Sequence, residues 1–383
     1  MSHRCLFLFP LVLLLILTLR VEQARANWPE PDEDKTPLGD EGTLCVPSLV
    51  WRDRHACPQY GPASTAARVA SIQLPDPLPE LAVVPLDPPP EGENNVVPFT
   101  YAQVVQDNVP VYKHPIEAAY GLPPQRRLGV GFIWVSIEGR TTYEGQDYYQ
   151  INQDEYVRAD TLSVYAPSTF QGVALAQQPE RPFAWILKAV RPRLTPQGDY
   201  NADAPVYYRY QLVQIFATEY RGNQVWYLIS PDQWIEQIYV GKVAPLPPPP
   251  GVEAGAAWID INIFEQTLAA YVGDRMVYAT LVSSGLPGWD TPPGLFQVWR
   301  KVEKGKMSGA HKKPDYYFLE DVLWAMYFNQ AVAMHTAYWH NGFGYKHSHG
   351  CVNLAPADAK WLFSWAPETL WVRVQSGREL AAN

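Results

Sequence analysis

His335-Thr336, followed downstream by Ser348-His349-Gly350-Cys351-Val352-Asn353, is the stretch on which the reading of this 383-residue chain turns. A cysteine becomes a useful nucleophile when a neighbouring imidazole or backbone dipoles favour its thiolate. His349 and Cys351 lie two apart, so they share a face of a strand without making a relaxed direct hydrogen bond. His335, arriving on an adjacent strand, is the better general base. Gly350 has no side chain to block the approach of a carbonyl, and the N–H groups around Gly350–Cys351 are candidate oxyanion donors. Ser348 reads as an orienting hydrogen-bond partner and Asn353 as a loop anchor. His340 and His347 are expected in surface loops.

Outward from this stretch the pattern is β. Ile259, Ile261 and Ile263 alternate with Asp260 and Asn262, as in a half-buried strand. Further strands are expected at Met276–Leu281, at Ala331–Met334 leading into His335, and at Trp371–Val374. Pro356, with Ala357, Trp361, Leu362 and Trp365 at near-helical spacing, predicts one short helix stopped by Pro367.

Together these elements resemble the L,D-transpeptidase (YkuD-type) catalytic domain. Ser283-Ser284-Gly285 and Thr291-Pro292-Pro293-Gly294-Leu295-Phe296 extend the likeness upstream, so it covers roughly the last third of the chain. The resemblance implies a β-sandwich domain over 252–376. Cys351 would attack the carbonyl of residue three of a peptidoglycan stem. His335 would take the thiol proton and return it to the leaving D-Ala, and a second stem's amine would capture the acyl-enzyme as a 3→3 cross-link. Thr336 would supply the main-chain carbonyl or hydroxyl beside the base. Asn353 stands where many relatives carry Arg, and would bear on how the substrate carboxylate is held. Tyr317 falls at the place of a lid tyrosine, and the basic segment 300–313 resembles a lid. Donor and acceptor stems are the implied partners, carbapenem-type β-lactams the implied acylating inhibitors, and no cofactor or metal is implied.

Upstream, a shift of 78 residues pairs Val135 with Val213, Ile137 with Ile215, Tyr149 with Tyr227, and Asp154 with Asp232. Both copies alternate apolar and polar residues between turn signals. The run at 148–160 resembles bacterial SH3-like domains, which implies two small β-barrel units at 98–165 and 166–243 that bind wall peptide or brace the enzyme. The run Ala-Pro-Leu-Pro-Pro-Pro-Pro-Gly at 244–251 reads as an extended linker. The expected architecture is therefore mainly β.

Aromatic residues make up 13% of the chain and charged residues only 18%, with 37 Pro, a composition of short strands and extended connections rather than long helices. Residues 27–97 carry 12 acidic and 4 basic side chains and read as an acidic Pro-rich spacer. They account for most of the net charge of −9, leaving the rest near neutral and arguing against nucleic-acid binding. Residues 1–26 read as a signal peptide, with a basic start, the apolar run Cys5–Leu19 and Ala24-Arg25-Ala26 as cleavage site; an uncleaved anchor is the alternative. In an exported chain Cys45 and Cys57, 12 apart, are expected to pair, which leaves Cys351 as the unpaired thiol. Three other readings stand beside cross-linking: an L,D-carboxypeptidase, a non-catalytic wall-binding protein, and a metal site built from the clustered histidines. The spacing of those histidines matches no common zinc signature.

Overall fold

Strands rich in Val, Ile, Trp and Tyr dominate because their side chains fit a pleated, half-buried surface. The computed structural model describes residues 72, 74–86, 96–309 and 315–377. The expected signal at 1–26, most of the spacer at 27–97, the Cys45–Cys57 pair, and Lys312 and Lys313 of the basic segment lie outside these residues.

Two seven-stranded sheets organise the molecule. The first has Ala257–Asn262 near its middle, with Thr267–Val272 and Arg275–Leu281 antiparallel on one side and Trp371–Gln375 parallel on the other. Gly294–Gln297 closes that second side, and Val173–Leu175 and Val83–Val84 extend the first. The second sheet runs Val352–Leu354, Val332–Thr336, Tyr317–Asn329, Phe132–Ile137, Thr100–Val104, Leu162–Tyr165, with Arg300–Gly309 also paired to Tyr317–Asn329. Ile259, Ile261, Leu268 and Val372 of the first sheet share a buried core with Met326, Met334, Val352 and Leu354 of the second. The helix Pro356–Trp365 contributes Ala359 and Leu362 to it. Proline at the helix start needs no donor there, and Lys301 Nζ donates to the carbonyls of Phe363 and Ala366 at its end.

The mainly β expectation holds, but the closed forms do not. Among the described residues no sheet closes into a barrel, and the C-terminal third is not a self-contained β-sandwich. The reason lies in where strand edges find partners. Phe132–Ile137 pairs in parallel with Tyr317–Asn329, placing Phe132 opposite Tyr317 and Trp134 opposite Leu319. An edge that a barrel would close on itself is thus used to extend the second sheet. Likewise Val173–Leu175 borders Arg275–Leu281 of the first sheet.

The 78-residue repeat is nevertheless present element by element. Gly139–Tyr143, Gln146–Asn152 and Glu155–Arg158 form one three-stranded sheet, and Ala217–Arg221, Gln224–Ser230 and Gln233–Glu236 form its counterpart. A 3-10 turn and a strand follow in each copy, Leu162–Tyr165 matching Val240–Val243. Asp154 and Asp232 both take left-handed turn conformations, with φ of 56° and 53°, which Asp tolerates better than most residues. The strands of each copy are divided among open sheets, some of them shared with the two seven-stranded sheets, rather than closed into a barrel. Among the described residues no helix is long and apolar enough to cross a membrane.

The seam between the first copy and the C-terminal third is aromatic. Tyr101 and Tyr338 stack at 3.5 Å between ring centroids, Trp134 meets Tyr338 edge-on, and the Tyr338 hydroxyl donates to the Glu320 carbonyl. Val97, Leu319, Val322 and Leu323 complete this core. Tyr338 lies three residues beyond His335, so the upstream copy braces the segment leaving the base. Tyr101→Ala is expected to cost about 3–5 kcal/mol, as truncation of a large buried aromatic does. Urea denaturation measures it; a change below about 1 kcal/mol would show that the seam is loosely packed.

Candidate active site

Parallel pairing between Val332–Thr336 and Val352–Leu354 sets Met334 opposite Val352 and His335 opposite Asn353. Met334 and Val352 point into the shared core. By alternation, His335, Asn353 and the residue before the strand, Cys351, present themselves to the other side. There they line one cavity of about 550 Å³, with Ser348, His349, Tyr317, Met307, Trp339, and Gly131 and Phe132 from the first copy. Of the sequence-derived residues, Cys351, His335, His349, Ser348, Asn353 and Tyr317 meet at this cavity, with two upstream wall residues that no motif announced; Gly350 and Thr336 do not line it.

His335 is buried, and its Nδ1 lies 2.9 Å from the Thr336 carbonyl oxygen. A carbonyl only accepts, so Nδ1 carries the proton and Nε2 keeps its lone pair. Thr336 thus serves through its main chain; its hydroxyl is buried with no hydrogen-bond partner. Burial pushes the His335 imidazole down to about 4, against a smaller opposing effect of the Thr336 carbonyl. Cys351 is half-buried, and burial pushes its thiol up from the ordinary value. Its Sγ has the Ala331 carbonyl 3.9 Å away, a weak contact. Thiol and imidazole are both neutral at rest.

The loop before Cys351 is held by the upstream motifs. The Ser284 carbonyl accepts from the N–H groups of His347 and Ser348, and Ser283 and Asn353 exchange backbone bonds at 3.0 and 2.9 Å. Ser348 Oγ accepts from the Gly350 N–H at 3.1 Å and donates to the Cys351 carbonyl. The Gly350 N–H is therefore already engaged. Gly350 itself sits at φ 115°, where a side chain is strained, and a Cβ on Gly285 would come within 1.8 Å of the Trp289 carbonyl.

Thr291 was not singled out from the sequence as a site residue, yet it ties the two motifs together. Its Oγ1 accepts from the Gly285 N–H at 3.0 Å and donates to the Gly350 carbonyl at 2.9 Å. The signal was its place in Thr-Pro-Pro-Gly. Thr291→Val keeps the shape but strips both bonds, and each buried group left unpaired costs about 1–3 kcal/mol. We expect slower acylation of Cys351 with the fold retained, read by acylation rate alongside circular dichroism. An unchanged rate would show that the bridge is dispensable.

His349 is exposed and sits between Trp289, edge-on at 4.8 Å, and Tyr317, stacked at 5.3 Å. Burial pushes the Tyr317 hydroxyl up, and Cys351, when ionised as the thiolate, pushes it further the same way. Part of the basic segment is an ordered strand, Arg300–Gly309, paired with Tyr317–Asn329. Two of its charges are spent on structure: Lys301 caps the helix, and Lys304 lies 3.3 Å from Asp321. His347 is exposed in a loop, as expected, and His340 is half-buried; both line the cavity and stack at 4.5 Å. Among the described residues no group of three or more His, Cys, Asp or Glu side chains converges to hold a metal ion.

Comparison with known proteins agrees with this chemistry. Residues 256–374 match the YkuD family, the L,D-transpeptidase catalytic domain. YciB of Bacillus subtilis (strain 168), whose L,D-transpeptidase designation is provisional, is 30% identical over 136 residues. That match covers 31% of this chain and 66% of the relative, just under two thirds. Among solved structures, an L,D-transpeptidase from Mycobacterium smegmatis is 23% identical, covers 42% of this chain and 78% of its own, and superposes with a TM-score of 0.31. The E. faecium L,D-transpeptidase catalytic domain acylated by ertapenem is 27% identical, covering 33% of this chain and all of its own, with a TM-score of 0.29. Scores this low carry no argument, and the weight rests on the family match.

Proposed function

We propose, from the premise that residues 256–374 are an L,D-transpeptidase catalytic domain of the YkuD type, that the whole chain is an exported cell-wall enzyme forming 3→3 cross-links between peptidoglycan stems. The observation that carries this is His335, buried beside Cys351 on one cavity wall with its Nδ1–H given to the Thr336 carbonyl and Nε2 left as base. Cys351 Sγ attacks the carbonyl of stem residue three while His335 Nε2 takes the thiol proton. The carbon–nitrogen bond to D-Ala then breaks, His335 returns the proton to the leaving amine, and a thioester remains. The amine of a second stem attacks that thioester and restores the thiol. With the Gly350 N–H bound to Ser348, the Cys351 N–H is the candidate oxyanion donor. Thr336 orients the base, Ser348 and Gly350 shape the loop, and Asn353, Tyr317 and His349 meet the substrate.

The same thioester chemistry makes carbapenem-type β-lactams acylating inhibitors of Cys351, as with the ertapenem-acylated E. faecium domain. The repeats at 98–165 and 166–243 serve as wall-binding or bracing modules, and 252–376 as the catalytic domain behind the 244–251 linker. Incubation with purified disaccharide-tetrapeptide, followed by mass spectrometry, tests the reading. A dimer that has lost one D-Ala is expected. Tripeptide alone would establish a carboxypeptidase, and unchanged substrate would contradict both activities.

A further inference from the structure

His340 lies outside the catalytic pair, and its two ring nitrogens are fixed by their neighbours. The Gly342 N–H donates to His340 Nδ1 at 3.0 Å, so Nδ1 holds the lone pair. A neutral imidazole then carries its proton on Nε2. Burial first, then the neighbouring His347 and His335, push the ring down to about 3, which keeps it neutral. At 3.0 Å from Nε2 lies one end of the Asn353 side-chain amide. If that end were the NH2 group, His340 would have to accept at both nitrogens, which only an imidazolate does. The end facing His340 is therefore the carbonyl oxygen, since the two ends of an amide are told apart by their bonding partners.

The other end of the amide is then the NH2 group. That position is buried with no donor in reach, and Asn353 is 1% exposed and lines the cavity with Cys351 and His335, so its free amide end faces the substrate space. Both backbone groups of Asn353 are bonded to Ser283, so the side chain alone is left with capacity to spare. A buried donor at a cavity wall is best satisfied by an acceptor that enters the cavity.

We infer that His340, by donating Nε2–H to the Asn353 carbonyl oxygen, holds the Asn353 NH2 group as a fixed donor for an acceptor oxygen, carboxylate or amide carbonyl, of the bound stem peptide. His340 is a positioning residue; Asn353 touches the substrate. The inference rests on the cross-linking reading for the identity of the ligand, but not for the orientation of the amide.

The test is nitrogen NMR of the full chain with labelled histidine and asparagine, free and with disaccharide-tetrapeptide added to the Cys351→Ala variant. The expected result is a His340 ring protonated at Nε2 alone, with the Asn353 NH2 resonances shifting on addition of the stem. A proton on Nδ1, or NH2 resonances unmoved while the stem binds, would overturn the inference. In turnover, His340→Leu is expected to raise KM about tenfold to a hundredfold with a smaller change in kcat. His340→Gln, whose amide nitrogen can stand in for Nε2–H, is expected to restore most of the loss. Equal KM values for wild type and His340→Leu would also overturn it. A stem that neither binds nor reacts would contradict the cross-linking reading, while the ring tautomer still decides the His340–Asn353 pair.

Discussion

Cys351→Ala is expected to abolish acylation and cross-linking, a loss of at least about four orders of magnitude, while leaving the fold intact. The thiol contacts the Ala331 carbonyl weakly at 3.9 Å and the Ala333 backbone besides, and truncating one half-buried sulfur leaves little cavity, so the stability cost is about 1 kcal/mol. Cys351→Ser is expected to be as inactive as the alanine variant. Burial holds the His335 imidazole near 4, a weak base that suffices for a thiol but not for a hydroxyl of far higher pKa. The check is acylation by a carbapenem, followed by its absorbance, with thermal unfolding run in parallel. Substantial acylation in either variant would place the nucleophile elsewhere.

His335→Gln is expected to lower kcat by about 10²–10⁴ with little change in KM, as loss of a general base does. The wild-type pH profile carries the same argument. Burial disfavours imidazolium, so His335 stays neutral and able to accept a proton down to about pH 4. The acid limb of acylation is expected near pH 4 rather than at the ordinary histidine value near 6.5. A limb at 6.5 would mean a base open to water.

Stability moves in the same range and must be followed alongside. The folded pKa values of His335 and His340 are depressed, so the unfolded chain binds protons first, and stability is lost as pH falls from about 6.5 toward 4 for His335 and toward 3 for His340. Asp358 works in the opposite sense. Burial raises it to about 6 despite hydrogen bonds from the Gly172 N–H and the Tyr278 and Thr280 hydroxyls, so protonation below about 6 relieves a buried charge. Circular dichroism across pH 4–7 separates unfolding from titration of the base.

The site was legible in the sequence because its parts lie close along the chain. Ser348 to Asn353 form one loop and strand, and His335 reaches them over a single neighbouring strand. The repeat was legible for a similar reason: alternation and turn residues recur at a fixed shift, and the strands follow it. The apolar run marks Phe132–Ile137 as a strand, buried on both faces from Ile133 to Ser136, but not which strand borders its edge. Its pairing with Tyr317–Asn329 spans nearly half the chain and leaves no local signal, so the closed barrel was the wrong inference. His340 was hidden by its neighbours. Asn341-Gly342 reads as an exposed turn, and only the fold turns that loop inward to stack His340 on His347 beside Asn353. Phe132 and Gly131 were missed as cavity walls because they belong to the first repeat, far from any catalytic motif.

The most direct test of Cys351 as the acylated nucleophile is intact-protein mass measurement after incubation with a carbapenem, followed by peptide mapping. The expected result is one adduct per chain, on the peptide containing Cys351, absent from Cys351→Ala and formed far more slowly by His335→Gln. No adduct after prolonged incubation, or an adduct on another peptide, would contradict the account.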